Sequence, residues 1–529
     1  MPRVLLIGWD GADWRILDPM LAAGALPNLQ ALIDRGARGV LKSTIPTHSW
    51  SAWPSFLTGV EPADHGVYDI LESRETRPGT WKQFPVTYRS IRSRTFIPDL
   101  NAAGRTQLLV NVPLTFPPPE VNGRLVAGGV LPKGPPFTFP HDLAETLDRA
   151  GVPWPINRMS WTTFRHRPEA FLEEVTEVTK ARIEATEWLV GNTEWDLAAV
   201  VMFSTDRIQH CLSNHIAPDH PDYPKLKDGP IARKVVDVYR ILDEHLGSLV
   251  ARARDDDLVL FLSDHGFQSC HRAVHMDHLL KRLGFLEFSA SQAIYGPMQW
   301  GWVRSVARRV YDLLGLHGKV SLPQPVNWSK TRAYTSVRST GEGVSVNLAG
   351  REPNGIVDPA HHDRVRDEVA DRIAAFLDPA TGRSPVRKVW RREEVFKGKE
   401  LERAPDLLFE PAEGYSLTHA RSAVERADWV SGDHRMDGVI AAAGPAVQRD
   451  AFAAETPLLI DIAPTLLAAL DAPATIPATG RVLTQVLGAE AAMRAGEASD
   501  EGASAAHEDL GDTEAEEMEE HLRGLGYLE

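Results

Sequence analysis

Three short apolar runs in this chain each deliver an aspartate where they end. Residues 4–9 (Val-Leu-Leu-Ile-Gly-Trp) lead to Asp10-Gly11, residues 197–203 lead to Asp206, and residues 258–263 lead to Asp264-His265-Gly266. A continuous apolar run of this length, without polar alternation, reads as a strand buried on both faces, the environment of a parallel sheet. Helical patterns lie between them, at about 14–23, 27–36, 168–191 and 231–252, with one more strand near 38–43. Strands alternating with helices predict an α/β sandwich, a mainly parallel central sheet with helices on both faces. Ligands of such sheets gather at the carboxyl ends of the strands, where these three acids fall.

At 529 residues the chain exceeds one simple core, which predicts one large catalytic domain carrying insertions, or two domains. A formal net charge of −15 argues against a nucleic-acid polymer as partner, while leaving room for a local basic pocket. Two cysteines, Cys211 and Cys270, imply no disulfide framework. The apolar run at 4–9 is too short for a signal-peptide core, and no stretch approaches the roughly 20 apolar residues of a membrane span. The expectation is a cytoplasmic protein without a transmembrane segment; the oligomeric state is open.

Three stretches fit the strand–helix grammar poorly. Residues 70–165 are rich in Pro, Gly and Arg, with a strand candidate at 107–112, and residues 285–345 carry Trp300, Trp302, Val306, Val310 and Leu313 at helical spacing. Both are expected to be insertions at the mouth of the site, within a catalytic domain of residues 1–485. For the tryptophan-bearing stretch, packing against the main domain is favoured over a membrane-surface or lipid-tail role. Residues 486–529 read as an acidic flexible tail whose last part, 518–528, is a short helix able to dock.

Each candidate functional residue has an ordinary reading when taken alone. Asp10 can cap the helix that follows it. Asp206 and His210, spaced i, i+4, can form a surface ion pair or bind one ion from a shared helix face. Asp264 and His265 reach one centre only through an abrupt turn, which Gly266 permits. His434, in Gly432-Asp433-His434-Arg435 just before the apolar run 439–442, is by itself a loop histidine. Together they are three aspartates and three histidines at the edges of strand-like runs. That set suits two borderline divalent ions when an oxygen nucleophile joins it. Ser49 is placed for that role: it opens a helix entered from Pro46-Thr47-His48 and closed by Thr58-Gly59, where free backbone N–H groups favour bound phosphate.

The order of these motifs resembles the alkaline phosphatase superfamily, and within it the type I phosphodiesterase/nucleotide pyrophosphatase-like branch. The matching landmarks are Gly8-Trp9-Asp10-Gly11, the Ser49 segment through Leu57-Thr58-Gly59, and Pro62-Ala63-Asp64-His65-Gly66. They continue with Asp206 and His210, Ser263-Asp264-His265-Gly266, Gly432-Asp433-His434-Arg435, Asp461-Ile462-Ala463-Pro464-Thr465-Leu466 and Gly480-Arg481. The resemblance spans about 1–485. It implies a hydrolase of small-molecule phosphate esters with two divalent ions, zinc first and manganese as the alternative. Asp206, His210 and His434 would hold one ion; Asp10, Asp264 and His265 would hold the other, which also contacts Ser49. A metal-stabilised serine alkoxide would form a covalent phosphoserine, then hydrolysed by water.

Two departures bear on substrate. Nucleotide pyrophosphatases carry an asparagine shortly after the His-Gly, where an ungapped reading puts Ile70. Their nucleophile is usually a threonine preceded by lysine, whereas His48 precedes Ser49 here. His48 is a candidate phosphate or leaving-group contact, set against an exposed turn residue, and Asn111 is a candidate replacement for the missing amide. Sulfatases need x-Pro-x-Arg after the nucleophile, and Ser49 is followed by Trp50-Ser51-Ala52-Trp53. The arginine and third metal of alkaline phosphatases proper do not accompany Ser49 in sequence, nor does the Ser-Glu-Val-Gly-His run of metal-dependent phosphoglycerate mutases. With no evident extra cation for a doubly charged phosphoryl group, diester chemistry leads over phosphomonoester or phosphotransfer chemistry. A non-catalytic scaffold retaining the fold is the remaining alternative.

Overall fold

The computed structural model describes residues 3–525 apart from 78–79, 135, 157–158, 161–163, 165–166, 290–325, 418–421, 429 and 489–510. Its centre is an eight-stranded sheet in the order 37–42, 437–443, 258–262, 4–9, 197–202, 107–113, 123–128, 138–139. The five strands from 258–262 to 123–128 run parallel, and antiparallel strands close both sides. The sequence explains the arrangement. Along Val4–Trp9 every residue is buried; Leu5, Ile7 and Trp9 enter the core on one face, Val4 and Leu6 the core on the other. The helices Pro168–Gly191 and Pro230–Val250 cover the first face, and Ser49–Thr58 with Ile462–Ala469 covers the second. The expected α/β sandwich is therefore present, with its three apolar runs at its middle.

The stretch 70–165 is not an insertion throughout. Gln107–Pro113 and Gly123–Gly128 are full members of the central sheet, and Thr138–Phe139 is its edge. Among the described strands of this stretch, the hairpin of Leu71–Arg77 and Thr80–Pro85 stands outside it. Proline and glycine dominate this composition because tight crossovers join the strands. Gly128, for instance, lies so close to the backbone of Asn111 that a Cβ there would sit 2.2 Å from its carbonyl oxygen.

A second, smaller lobe follows the strand Gly266–Ala273. Ala333–Val337, Gly343–Val346, Leu407–Pro411 and Val386–Arg391 form an antiparallel four-stranded sheet, packed by Met276–Arg282 and His362–Ala374 around a core of its own. Part of the expected insertion at 285–345 thus belongs to this lobe; Trp300, Trp302, Val306, Val310 and Leu313 lie outside the described residues. Asp69 ties lobe to main domain: Oδ2 accepts from the Arg338 amide at 2.7 Å, and Oδ1 accepts from the Ser339 hydroxyl at 2.6 Å. The terminal helix spans Asp512–Gly524, beginning earlier than the expected 518, and buries Met518 and Leu522 in the main core. Among the described residues no single helix is long and apolar enough to cross a membrane.

Candidate active site

Ser49 is the first residue of Ser49–Thr58, on the edge where the parallel strands end. Its Oγ donates toward Asp10 Oδ1 at 3.2 Å and lies 3.2 Å from His265 Nε2. Each neighbour is held in place by its other atoms. Asp10 Oδ2 accepts from Trp53 Nε1 at 3.0 Å, and Asp264 Oδ1 accepts from the Gly11 amide at 3.1 Å. His265 Nδ1 donates to the carbonyl of Gly266 at 3.1 Å, which leaves the Nε2 lone pair facing Ser49. The chain bends at Asp264 and His265 themselves, and Gly266 already belongs to the strand Gly266–Ala273; glycine is needed there for space, since a Cβ would collide with the Asp437 carbonyl.

His210 and His434 form the other half. His210 Nδ1 is 3.3 Å from the Gly432 carbonyl, and the Nε2 atoms of the two rings are 2.9 Å apart. Asp206 Oδ1 lies 3.4 Å from His210 Nε2 and 3.5 Å from His434 Nε2. The two halves adjoin, since the rings of His265 and His434 are 4.1 Å apart between centroids. Donor atoms of Asp10, Asp264 and His265, and likewise of Asp206, His265 and His434, lie within 4.8 Å of one another. All six residues expected as ligands therefore meet in one place. Asp433 also joins His210 and His434 in such a group. Sequence reasoning passed over it because an acid beside a loop histidine carries no signal of its own.

The electrostatics suit cations. Burial pushes the Asp10 carboxyl well above the usual range, and Asp264 and Asp206 push it further. Burial also raises Asp206, but His210 and Arg207 outweigh it and hold that carboxyl well below its ordinary value. Burial lowers the His434 ring. Asp264 Oδ2 is buried without a hydrogen-bond partner among the described residues. An acceptor-only set of carboxylates and imidazole lone pairs, with an orphaned carboxylate oxygen inside it, fits divalent ions.

The two expected substrate contacts have other roles. His48 is buried rather than exposed: Nδ1 accepts from the Ser51 amide at 3.3 Å and Nε2 donates to the Tyr68 carbonyl at 3.1 Å. Burial lowers it to about 4, so it caps the Ser49 helix as a neutral ring. Asn111, at φ 60° in a bulge, donates from Nδ2 to the Val201 carbonyl at 2.7 Å and pins one strand to its neighbour. Ile70 is buried in the core, its amide bonded to Asp69 Oδ1 and its carbonyl to the Val86 amide. A further correction concerns cations: two arginines, Arg182 and Arg207, do line a small cavity with Ser49. The larger cleft, of about 1100 Å³, runs between the hairpin, the small lobe and the terminal helix, and none of the six candidate ligands lines it.

A serine hydroxyl flanked by two adjoining Asp/His clusters, at the carboxyl edge of a mainly parallel sheet, defines a hydrolase of the alkaline phosphatase superfamily. The chain belongs to the type I phosphodiesterase/nucleotide pyrophosphatase family, whose model matches residues 4–437. It is a phosphoric ester hydrolase. Among solved structures it is similar to phosphonoacetate hydrolase from Sinorhizobium meliloti 1021 in complex with phosphonoacetate. That likeness has a TM-score of 0.53 at 17% identity and covers 87% of this chain and 94% of that one. It is also similar to human ectonucleotide pyrophosphatase/phosphodiesterase 5, with a TM-score of 0.47 at 16% identity, covering 91% and 98%. No curated protein sequence matches the chain.

Proposed function

We propose that the protein hydrolyses phosphodiesters through a covalent phosphoserine at Ser49, with two divalent ions bound by the flanking clusters. Asp206, His210 and His434 hold one ion and Asp10, Asp264 and His265 the other, with zinc the first choice and manganese the alternative for this mixture of oxygen and nitrogen donors. When bound, the ions lower the pKa of the attacking hydroxyl and neutralise charge on the phosphoryl oxygens. The chain's own residues do the rest. Trp53 and the Gly11 amide fix the two carboxylates, and the Gly266 carbonyl fixes the His265 tautomer, so the donors are aimed before substrate arrives. The Ser49 oxygen forms a bond to phosphorus as the ester P–O bond breaks, and the alcohol leaves with a proton. Water then breaks the Oγ–P bond and restores the hydroxyl.

One observation carries the reading: Ser49 Oγ lies 3.2 Å from both Asp10 Oδ1 and His265 Nε2, so the hydroxyl is held against the Asp10 cluster. The test is to quench the zinc-loaded enzyme in acid during turnover of an aryl phosphodiester and map phosphorylated peptides. The peptide containing Ser49 is expected to carry the phosphoryl group together with the ester arm that has not left. Turnover without any phosphorylated Ser49 peptide, under conditions where the second step is slow, would overturn the covalent route.

A further inference from the structure

Arg182, on the helix Pro168–Gly191, is more than nine-tenths buried, yet its Nε and Nη1 have no hydrogen-bond partner among the described residues. Its guanidinium lies over the rings of Trp154 and Phe203, at 5.6 and 6.0 Å, which shield it from water without neutralising it. The charge nearby is another cation: burial and Arg207 together lower Arg182 to about 10. Arg207, on the next helix, is itself buried, with Nε 3.4 Å from Asp206 Oδ2. Both arginines line one cavity with Ser49, closed by His521 of the terminal helix, and among the described residues no carboxylate lines it. Burial and the two arginines lower His521 to about 3, so that ring is neutral and able to donate. The cavity volume of about 40 Å³ is room for about three waters, the size of one carboxylate or phosphoryl group.

A buried guanidinium without an acidic partner among the described residues, set beside a second one, is unfavourable in the free protein and is relieved by an anion. We propose that Arg182 and Arg207 form an anion subsite beside Ser49 that takes a second negatively charged group of the substrate. Resting on Ser49 as the phosphoryl acceptor, this narrows the substrate class to phosphate esters with an anionic oxygen group beyond the single charge of a plain diester. That group is either the extra oxygen of a phosphomonoester or a carboxylate or phosphate on the alcohol of a diester. The expectation that no cation awaits such a charge came from sequence, where the two arginines are on different helices and share no pattern.

Two measurements test the subsite. The first compares kcat/KM of the metal-loaded enzyme for a methyl aryl phosphodiester, an aryl phosphomonoester and an aryl diester carrying a carboxylate on its alkyl arm. Arg182→Gln is expected to lower the value for one of the doubly charged substrates about 30-fold more than for the plain diester, equivalent to about 2 kcal/mol, with partial rescue in Arg182→Lys. The substrate showing the extra loss identifies the source of the charge; equal losses on all three would overturn the subsite. The second measurement needs no turnover, so its failure is separable from failure of the hydrolase reading. Inorganic phosphate is titrated calorimetrically into Ser49→Ala protein and into Ser49→Ala/Arg182→Gln protein of matched thermal stability. Binding at least about 10-fold weaker in the double variant is expected, and equal affinity would refute the proposal.

Discussion

His210 and His434 present their Nε2 atoms to one another across 2.9 Å, each within 3.5 Å of Asp206 Oδ1. With His210 Nδ1 turned to the Gly432 carbonyl, the His210 Nε2 lone pair points at its neighbour, and the carboxylate oxygen adds a further negative edge. Such a set repels itself until a cation enters it. Purified protein is therefore expected to carry about two divalent ions per chain, and His434→Ala about one. Elemental analysis checks this, with Asp264→Ala as the probe of the other cluster. Unchanged content in both variants would show that the ions, if bound, lie elsewhere.

Ser49→Ala removes the hydroxyl held against the Asp10 and His265 side chains. Turnover of an aryl phosphodiester is expected to fall on the order of 10³-fold or more, with metal content and melting temperature nearly unchanged. A variant that keeps half the native rate would exclude Ser49 as the nucleophile.

Asp69 is a test of how the lobes are joined. Its carboxylate is buried and accepts from the Arg338 amide, the Ser339 amide and the Ser339 hydroxyl. Asp69→Ala leaves those donors without their acceptor, and a loss of about 3 kcal/mol in stability is expected from charge-assisted hydrogen bonds of this kind. Urea unfolding measures it. A loss below about 1 kcal/mol, or a separate early transition of the small lobe alone, would show that the clamp does not couple the two.

Acid should weaken the fold in a way that His65 makes visible. Burial lowers this ring to about 3, while its Nδ1 accepts from the Val67 amide and its Nε2 faces Ser55 Oγ at 3.0 Å. Between about pH 3 and the unfolded value near 6.5 the unfolded chain binds the proton and the folded one does not. The contribution is therefore present above 6.5 and lost as pH falls. From pH 7.5 to 5.0 the loss from this one ring is about 2 kcal/mol. His65→Gln should shrink the pH dependence by that amount in urea titrations at the two pH values; an unaltered dependence would mean that the ring titrates in the fold as it does in the unfolded chain.

What could be read in the sequence followed from burial. The runs at 4–9, 197–203 and 258–263 were legible because strands covered on both faces need unbroken apolar sequence. Their terminal acids were legible because the carboxyl edge of such a sheet is where polar groups converge. Gln107–Pro113 and Gly123–Gly128 were harder, since the glycines and prolines of their connections dilute the same signal. The role of His48 was hidden for another reason. A histidine before a helix looks exposed until tertiary packing supplies the Tyr68 carbonyl that engages its second nitrogen. Arg182 and Arg207 meet only because two helices lie side by side, a relationship no local spacing records.

The position of Val4–Trp9 between Leu197–Met202 and Leu258–Leu262 has a consequence for biosynthesis. Val4–Trp9 lies in the interior of the finished sheet, and the nearer of its two partners is synthesised roughly 200 residues later. At about 5–20 residues per second that is a wait of roughly 10–40 s. Throughout it an apolar hexapeptide has neither edge paired, the condition under which strands recruit wrong partners. Nascent chains arrested before residue 197 are expected to be held by chaperones or to aggregate, and chains extended past 262 to become resistant to protease. Ribosome-bound chains of graded length would reveal where along synthesis that protection begins.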